Sequence, residues 1–174
     1  LPGGVTVLSS GPTMTCGGTL TTVAPNQIQF RDGTLTASSN CQFSVTVTGA
    51  TLGVKQNTTT SITSANAGTG AAAQATLTVV GPPTASKSFA PTSIPLYAPG
   101  NVTTLTITLT NPNTTVALSG VGFDDSFPAG LQIAATPNVT NTCGGSFNPA
   151  LTAGGTSVNL SGGTIAVSNS CTIT

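Results

Sequence analysis

Charge is what this sequence has least of. Three of its 174 residues are Lys or Arg and three are Asp or Glu, and it has neither His nor Trp. A globular chain ordinarily carries about a quarter charged residues. Without His, general acid–base chemistry must rest on the few carboxylates, and the only adjacent pair is Asp124 and Asp125. Two Asp beside a turn supply too few convergent oxygens for calcium, so no metal site, no catalytic residue and no enzyme are expected. Arg31, Lys55 and Lys87 cannot form a basic patch, which excludes nucleic acid as a partner. Mean hydropathy is +0.29, yet no apolar run approaches the roughly 20 residues of a spanning helix, so no transmembrane segment is expected. Gly68-Thr69-Gly70 and Gly154-Gly155 lack the Lys and helix of a phosphate loop; they read as turns, and no cofactor is implied. The chain opens Leu1-Pro2-Gly3-Gly4 without a basic lead into an apolar core, so an export signal is expected upstream and the chain reads as an internal or processed segment.

What fills the space is hydroxyl. Thr alone makes up about a fifth of the residues, and Thr is a good strand former. A neutral, hydroxyl-rich surface has little repulsion to keep molecules apart. Either covalent glycans solvate it, or it packs against copies of itself or adjacent repeats in a polymer. Candidate glycosylation sequons stand at Asn57, Asn101, Asn113, Asn138 and Asn159, although a chain this rich in Asn and Thr makes such triplets readily. The four cysteines have no C-x-x-C spacing and no His nearby, so structural disulfides and an exported, extracellular or cell-surface location are the reading.

The chain repeats itself. Leu1-Pro2-Gly3-Gly4-Val5 matches Phe127-Pro128-Ala129-Gly130-Leu131, and Thr15-Cys16-Gly17-Gly18 matches Thr142-Cys143-Gly144-Gly145. Asp32-Gly33-Thr34-Leu35 matches Gly162-Gly163-Thr164-Ile165, and Asn40-Cys41-Gln42-Phe43-Ser44 matches Ser170-Cys171-Thr172-Ile173-Thr174. Arg31-Asp32-Gly33 is therefore a turn, aligned with Ser161-Gly162-Gly163. Each copy holds one cysteine pair, which predicts Cys16–Cys41 and Cys143–Cys171. Residues 1–81 read as the C-terminal part of one repeat, 82–83 as a Pro-Pro hinge, and 84–174 as the N-terminal part of the next. Thr104 to Thr110 alternates apolar residues with Thr, as do Phe43, Val45 and Val47, and Leu77 and Val79. Turns fall at Tyr97-Ala98-Pro99-Gly100-Asn101, Asn111-Pro112-Asn113, Pro128-Ala129-Gly130 and Gly144-Gly145. No helical period appears. The expected fold is all-β: antiparallel immunoglobulin-like β-sandwich modules in tandem.

Lys87-Ser88-Phe89-Ala90-Pro91-Thr92-Ser93-Ile94, the strand Thr104 to Asn111, and Phe123 to Leu131 together form an ordered pattern. It resembles the repeats of unknown function, K-S-F-x-P-x-x-I, L-T-x-T-L-T-N-P-N and D-x-L-P-A-G-L, in large exported bacterial and archaeal proteins. Phe127 in place of Leu and the additional Asp124 depart from it. The resemblance implies an immunoglobulin-like or Cna-B-like sandwich, tandem arrays, a cell-surface or filament role and no catalysis. The expected function is a structural repeat of an extracellular filament, stalk or cell-surface fibre, in which strands can be exchanged between neighbouring modules. The alternative is an adhesin or carbohydrate-binding module, which would want exposed aromatics; Tyr97 is the sole Tyr.

Strand alternation sets Lys87 on the face of Phe89, and Asp125 on that of Phe123 and Val121. Charges on apolar faces need partners. A buried Lys87–Asp125 ion pair is the expected solution. Cna-B-like modules imply a different one, a Lys–Asn isopeptide cross-link beside an Asp, with the Asn on a late strand where the first copy has Asn57 and Asn66.

Overall fold

The computed structural model of the chain describes residues 1–8, 12–23 and 26–174. Among them every regular element is a strand, and every ladder is antiparallel. The chain divides into two compact units, Leu1–Val80 and Gly81–Thr174.

The first unit consists of paired ribbons. Strand β1 (Val5–Val7) pairs with β6 (Val47–Gly49), and β2 (Thr13–Met14) with β5 (Phe43–Ser44). Strand β3 (Thr19–Val23) pairs with β4 (Gln27–Arg31). A second, longer hairpin runs through β7 (Gly53–Thr58), β8 (Thr63–Ser64), β9 (Gly68–Thr69) and β10 (Gln74–Val79), with β7 on β10 and β8 on β9. Phe43 and Val47 fall on two short strands rather than one, because the ladder passes from β2 to β1 between them. Val5 and Cys16 are the buried apolar residues of this unit among those described, whereas Phe43, Val54, Ile62 and Leu77 are exposed.

The second unit is a sandwich of two three-stranded sheets. One has the order β11 (Thr84–Ala90), β12 (Thr104–Thr110), β16 (Ser170–Ile173). The other has the order β13 (Leu118–Ser126), β15 (Ser157–Ile165), β14 (Ser146–Phe147). The alternation of Thr104–Thr110 has the expected outcome: Ile107 and Leu109 are buried while the Thr side chains face outward. Opposite Ile107 and Leu109 stand Ile173 and Cys171. Val121, Cys143, Leu160 and Ile165 complete the core, with Leu105, Leu118, Phe123 and Phe147 packed against it. The β13–β15 ladder slips on either side of Val121, next to Gly120 at φ 66°, which re-aims the strand without losing the inward set Val121, Phe123 and Asp125.

In the Asn111-Pro112-Asn113 turn both asparagines are buried while Pro112 is exposed. Asn111 Nδ2 donates to the carbonyls of Val116 at 2.8 Å and Ala166 at 3.0 Å, and its Oδ1 accepts from Asn113 N at 2.9 Å. Asn113 in turn pairs with the backbone of Gly81, donating to its carbonyl at 2.9 Å and accepting from its N–H at 2.7 Å. Two amide side chains thus satisfy the backbone groups that the turn would otherwise strand in the interior.

Candidate functional site

The two cysteine pairs are joined as expected, Cys16–Cys41 with Cα atoms 4.8 Å apart and Cys143–Cys171 with 5.0 Å. Around each disulfide the same bonds recur. Thr15 N donates to the Gln42 carbonyl at 2.9 Å, and Thr142 N to that of Thr172 at 2.9 Å. Gln42 N donates to Thr15 Oγ1, and Thr172 N to Thr142 Oγ1. Thr34 N reaches the Cys16 carbonyl and Thr164 N the Cys143 carbonyl, at 3.1 and 2.8 Å. The second glycine of each Cys-Gly-Gly has φ near +70°, and a Cβ there would strike backbone: Arg31 and Asp32 at Gly18, Ser161 to Gly163 at Gly145. Only glycine fits that approach.

Lys87 and Asp125 meet across the lip of the sandwich. Lys87 stands opposite the core residue Ile107 on β12, and Asp125 opposite Val158 on β15, so both point inward. The ammonium straddles the carboxylate, donating to Oδ1 at 2.8 Å and lying 2.6 Å from Oδ2. Oδ2 is buried but receives no aligned donor, only the charge. The Phe89 and Phe127 rings flank Nζ at 5.7 and 5.9 Å. The expected burial of this pair is not found. Lys87 remains 42% exposed and Asp125 18%, because β11 and β13 are the end strands of their two sheets.

The sequons separate by environment. Asn101 and Asn138 are exposed, and Asn57 is half-buried on β7. Asn113 is a correction: at 3% exposure, with its amide spent on Gly81 and Asn111, it has neither room nor a free nitrogen for a glycan. Asn159 is half-buried with its Oδ1 enclosed.

A cleft in the first unit, about 580 Å³, is lined by residues 13–15 and 41–44 and presents hydroxyls, an amide, Met14 and the Phe43 ring. No group of three or more Cys, Asp or Glu is poised for a metal ion among the described residues, and they form no helix long and apolar enough to cross a membrane. Strand edges, more than pockets, are what the molecule presents. Among the described residues, strand β13 pairs with β15 on one side only, and β7 with β10 on one side only. These edges carry no sequence signal, since a strand's pattern names its faces but not its neighbours.

One family model matches the chain twice, over residues 1–79 and 83–174, and its description is a domain of unknown function, DUF7933. The chain belongs to that family. Among curated proteins and solved structures nothing matches it. The two DUF7933 stretches meet at Gly81-Pro82-Pro83, beside the division between the compact units.

Proposed function

We propose that this DUF7933 chain is a structural repeat of an extracellular filament, stalk or cell-surface fibre, made of immunoglobulin-like modules in tandem. The observation that carries the reading is the recurrence of one disulfide-closed segment with the same hydrogen bonds and the same glycine contacts. A polymer built from one unit needs such repetition, and a single binding site does not. The disulfides suit an oxidising compartment. The scarcity of charge suits packing of like surfaces, with glycans at Asn101 and Asn138 as a second means of solvation. Electron microscopy of the native assembly tests the proposal. Continuous filaments with an axial repeat of one or two modules are expected; dispersed particles would overturn it.

One observation favours an adhesin or carbohydrate-binding role instead. Leu96 and Tyr97, 79% and 77% exposed, stand together on the loop between β11 and β12. An exposed aromatic beside an aliphatic residue gives a sugar ring an apolar face to stack on. Saturable binding on a glycan array, abolished by Tyr97→Ala, would decide for that role.

A further inference from the structure

A chain passing from one folded unit to the next is held only where its backbone groups find partners. In the first unit the last ladder residue is Val79, opposite Gly53. In the second the first is Thr84, opposite Thr110. Residues 80–83 lie between, and sequence alone makes Pro82-Pro83 their hinge. Val80 is 46% exposed and belongs to no strand, and both prolines are exposed. Gly81 is buried.

Asn113 holds Gly81 by both of its backbone groups. Gly81 N donates to Asn113 Oδ1 at 2.7 Å, and Asn113 Nδ2 donates to the Gly81 carbonyl at 2.9 Å. Two residues of an antiparallel ladder exchange the same pair of bonds, so a side-chain amide here stands in for a strand. The amide is itself fixed. Its Nδ2 also donates to Asn111 Oδ1 at 2.7 Å, and the Asn113 carbonyl accepts from Ser168 N at 2.9 Å. Asn111 in turn donates to the carbonyls of Val116 and Ala166. Gly81 is thereby tied to the ends of β12 and β15, one strand from each sheet of the sandwich. Burial keeps water from competing for these bonds.

We propose that Asn113 is a latch for the linker: by holding Gly81 it makes Pro82-Pro83 part of the second unit and leaves Val80 as the point where the chain can bend. The prolines, restricted in φ by their rings, run between the fixed points Gly81 and Thr84 and do not act as a hinge. Without the latch the free stretch would grow from Val80 alone to residues 80–83, and would include Gly81, whose backbone is the most permissive in it. The latch stands without the filament reading. Its use rests on that reading, since a fibre of tandem modules stiffens as each joint shortens.

The test is nitrogen-15 relaxation and amide exchange on the whole chain with both disulfides intact. Pro82 and Pro83 carry no N–H, so Gly81 gives the single amide signal between Val80 and Thr84. Its relaxation is expected to match that of Thr84 and Ile107, with exchange slower than an unstructured glycine's by roughly tenfold or more. Val80 should relax as a freer site. A Gly81 amide as mobile and as fast as that of Val80 would overturn the latch. In Asn113→Ala the Gly81 amide should speed up to the Val80 rate while Ile107 and Leu109 keep their protection. An unchanged Gly81 in that variant would overturn the latch as well. If the variant loses protection at Ile107 and Leu109 too, its second unit has unfolded, and the result on the unmodified chain decides. Microscopy that finds no filament, with Gly81 still held, would remove the filament reading and leave the latch.

Discussion

Phe43 and Ile173 hold the same place in the two copies of the repeated segment, two residues beyond the second cysteine of each disulfide. Phe43 is 45% exposed and Ile173 4%. The disulfide beside each is framed alike, by the same Thr-backbone bonds and the same left-handed glycines. The difference is a neighbour. Ile173 lies against Ile107 of β12, which is itself held by β11, whereas Phe43 is paired with Met14 and stacks on Phe30 at 5.6 Å. A disulfide-closed loop forms from its own residues, but a core needs sheets broad enough to cover it, and among the described residues three-stranded sheets occur only in the second unit.

The largest expected effect falls where the core exists. Ile107→Ala should destabilise the second unit by roughly 3–4 kcal/mol through lost burial and a residual cavity. Leu77→Ala in the first unit should cost less than about 1 kcal/mol, as an exposed site does. Urea melts followed by circular dichroism, with hydrogen exchange to assign each unit, measure both; equal losses would erase the comparison. Next comes removal of either disulfide. The loops have similar spans, 25 and 28 residues, so chain entropy predicts about 3 kcal/mol for each. Stepwise reduction should nevertheless loosen residues 1–49 while the second unit still resists exchange, because the first has little else to hold it.

Smaller again, and equal in the two units, should be Gly18→Ala and Gly145→Ala, at about 2 kcal/mol each for a left-handed backbone meeting carbonyl oxygen. Unequal costs would mean that the two turns are alike in outline only. The smallest effect belongs to Lys87→Met. An ion pair this exposed contributes less than about 1 kcal/mol, and the methionine keeps the aliphatic contact with Phe89. Intact mass is expected to match the sequence with two disulfides and no loss of ammonia, leaving the ion pair as the whole of that interaction. A missing ammonia that Lys87→Met abolishes would replace it with a cross-link.

Much of this was legible beforehand, for reasons that particular residues make plain. Thr104 to Thr110 announces both strand and inward face because a period of two leaves no alternative. The cysteine pairs could be matched because the loops around them recur. Alternation also brought Lys87 and Asp125 to facing surfaces, but it could not tell how far they are buried. Burial there depends on strands that neither residue's neighbourhood encodes. Asn113 misled for a related reason. A sequon records three adjacent residues, and the burial of this one comes from Gly81, far away along the chain. The free edges of β7 and β13 were illegible altogether, since pairing is a property of two segments and sequence periodicity describes one.

Thr6 and Thr48 touch through their hydroxyls at 2.9 Å, Thr13 and Ser44 at 2.6 Å, and Thr110 and Ser170 at 2.7 Å. These cross-strand contacts do the work that lysine and glutamate do on most sheets. A hydroxyl does not ionise in any natural water, and a dipolar contact at this range is untouched by the ion atmosphere that weakens surface charge pairs. Folding such a chain exchanges few protons with the medium, so its stability has little to gain or lose as acidity changes. These hydroxyl contacts should therefore hold alike in fresh water and in brine.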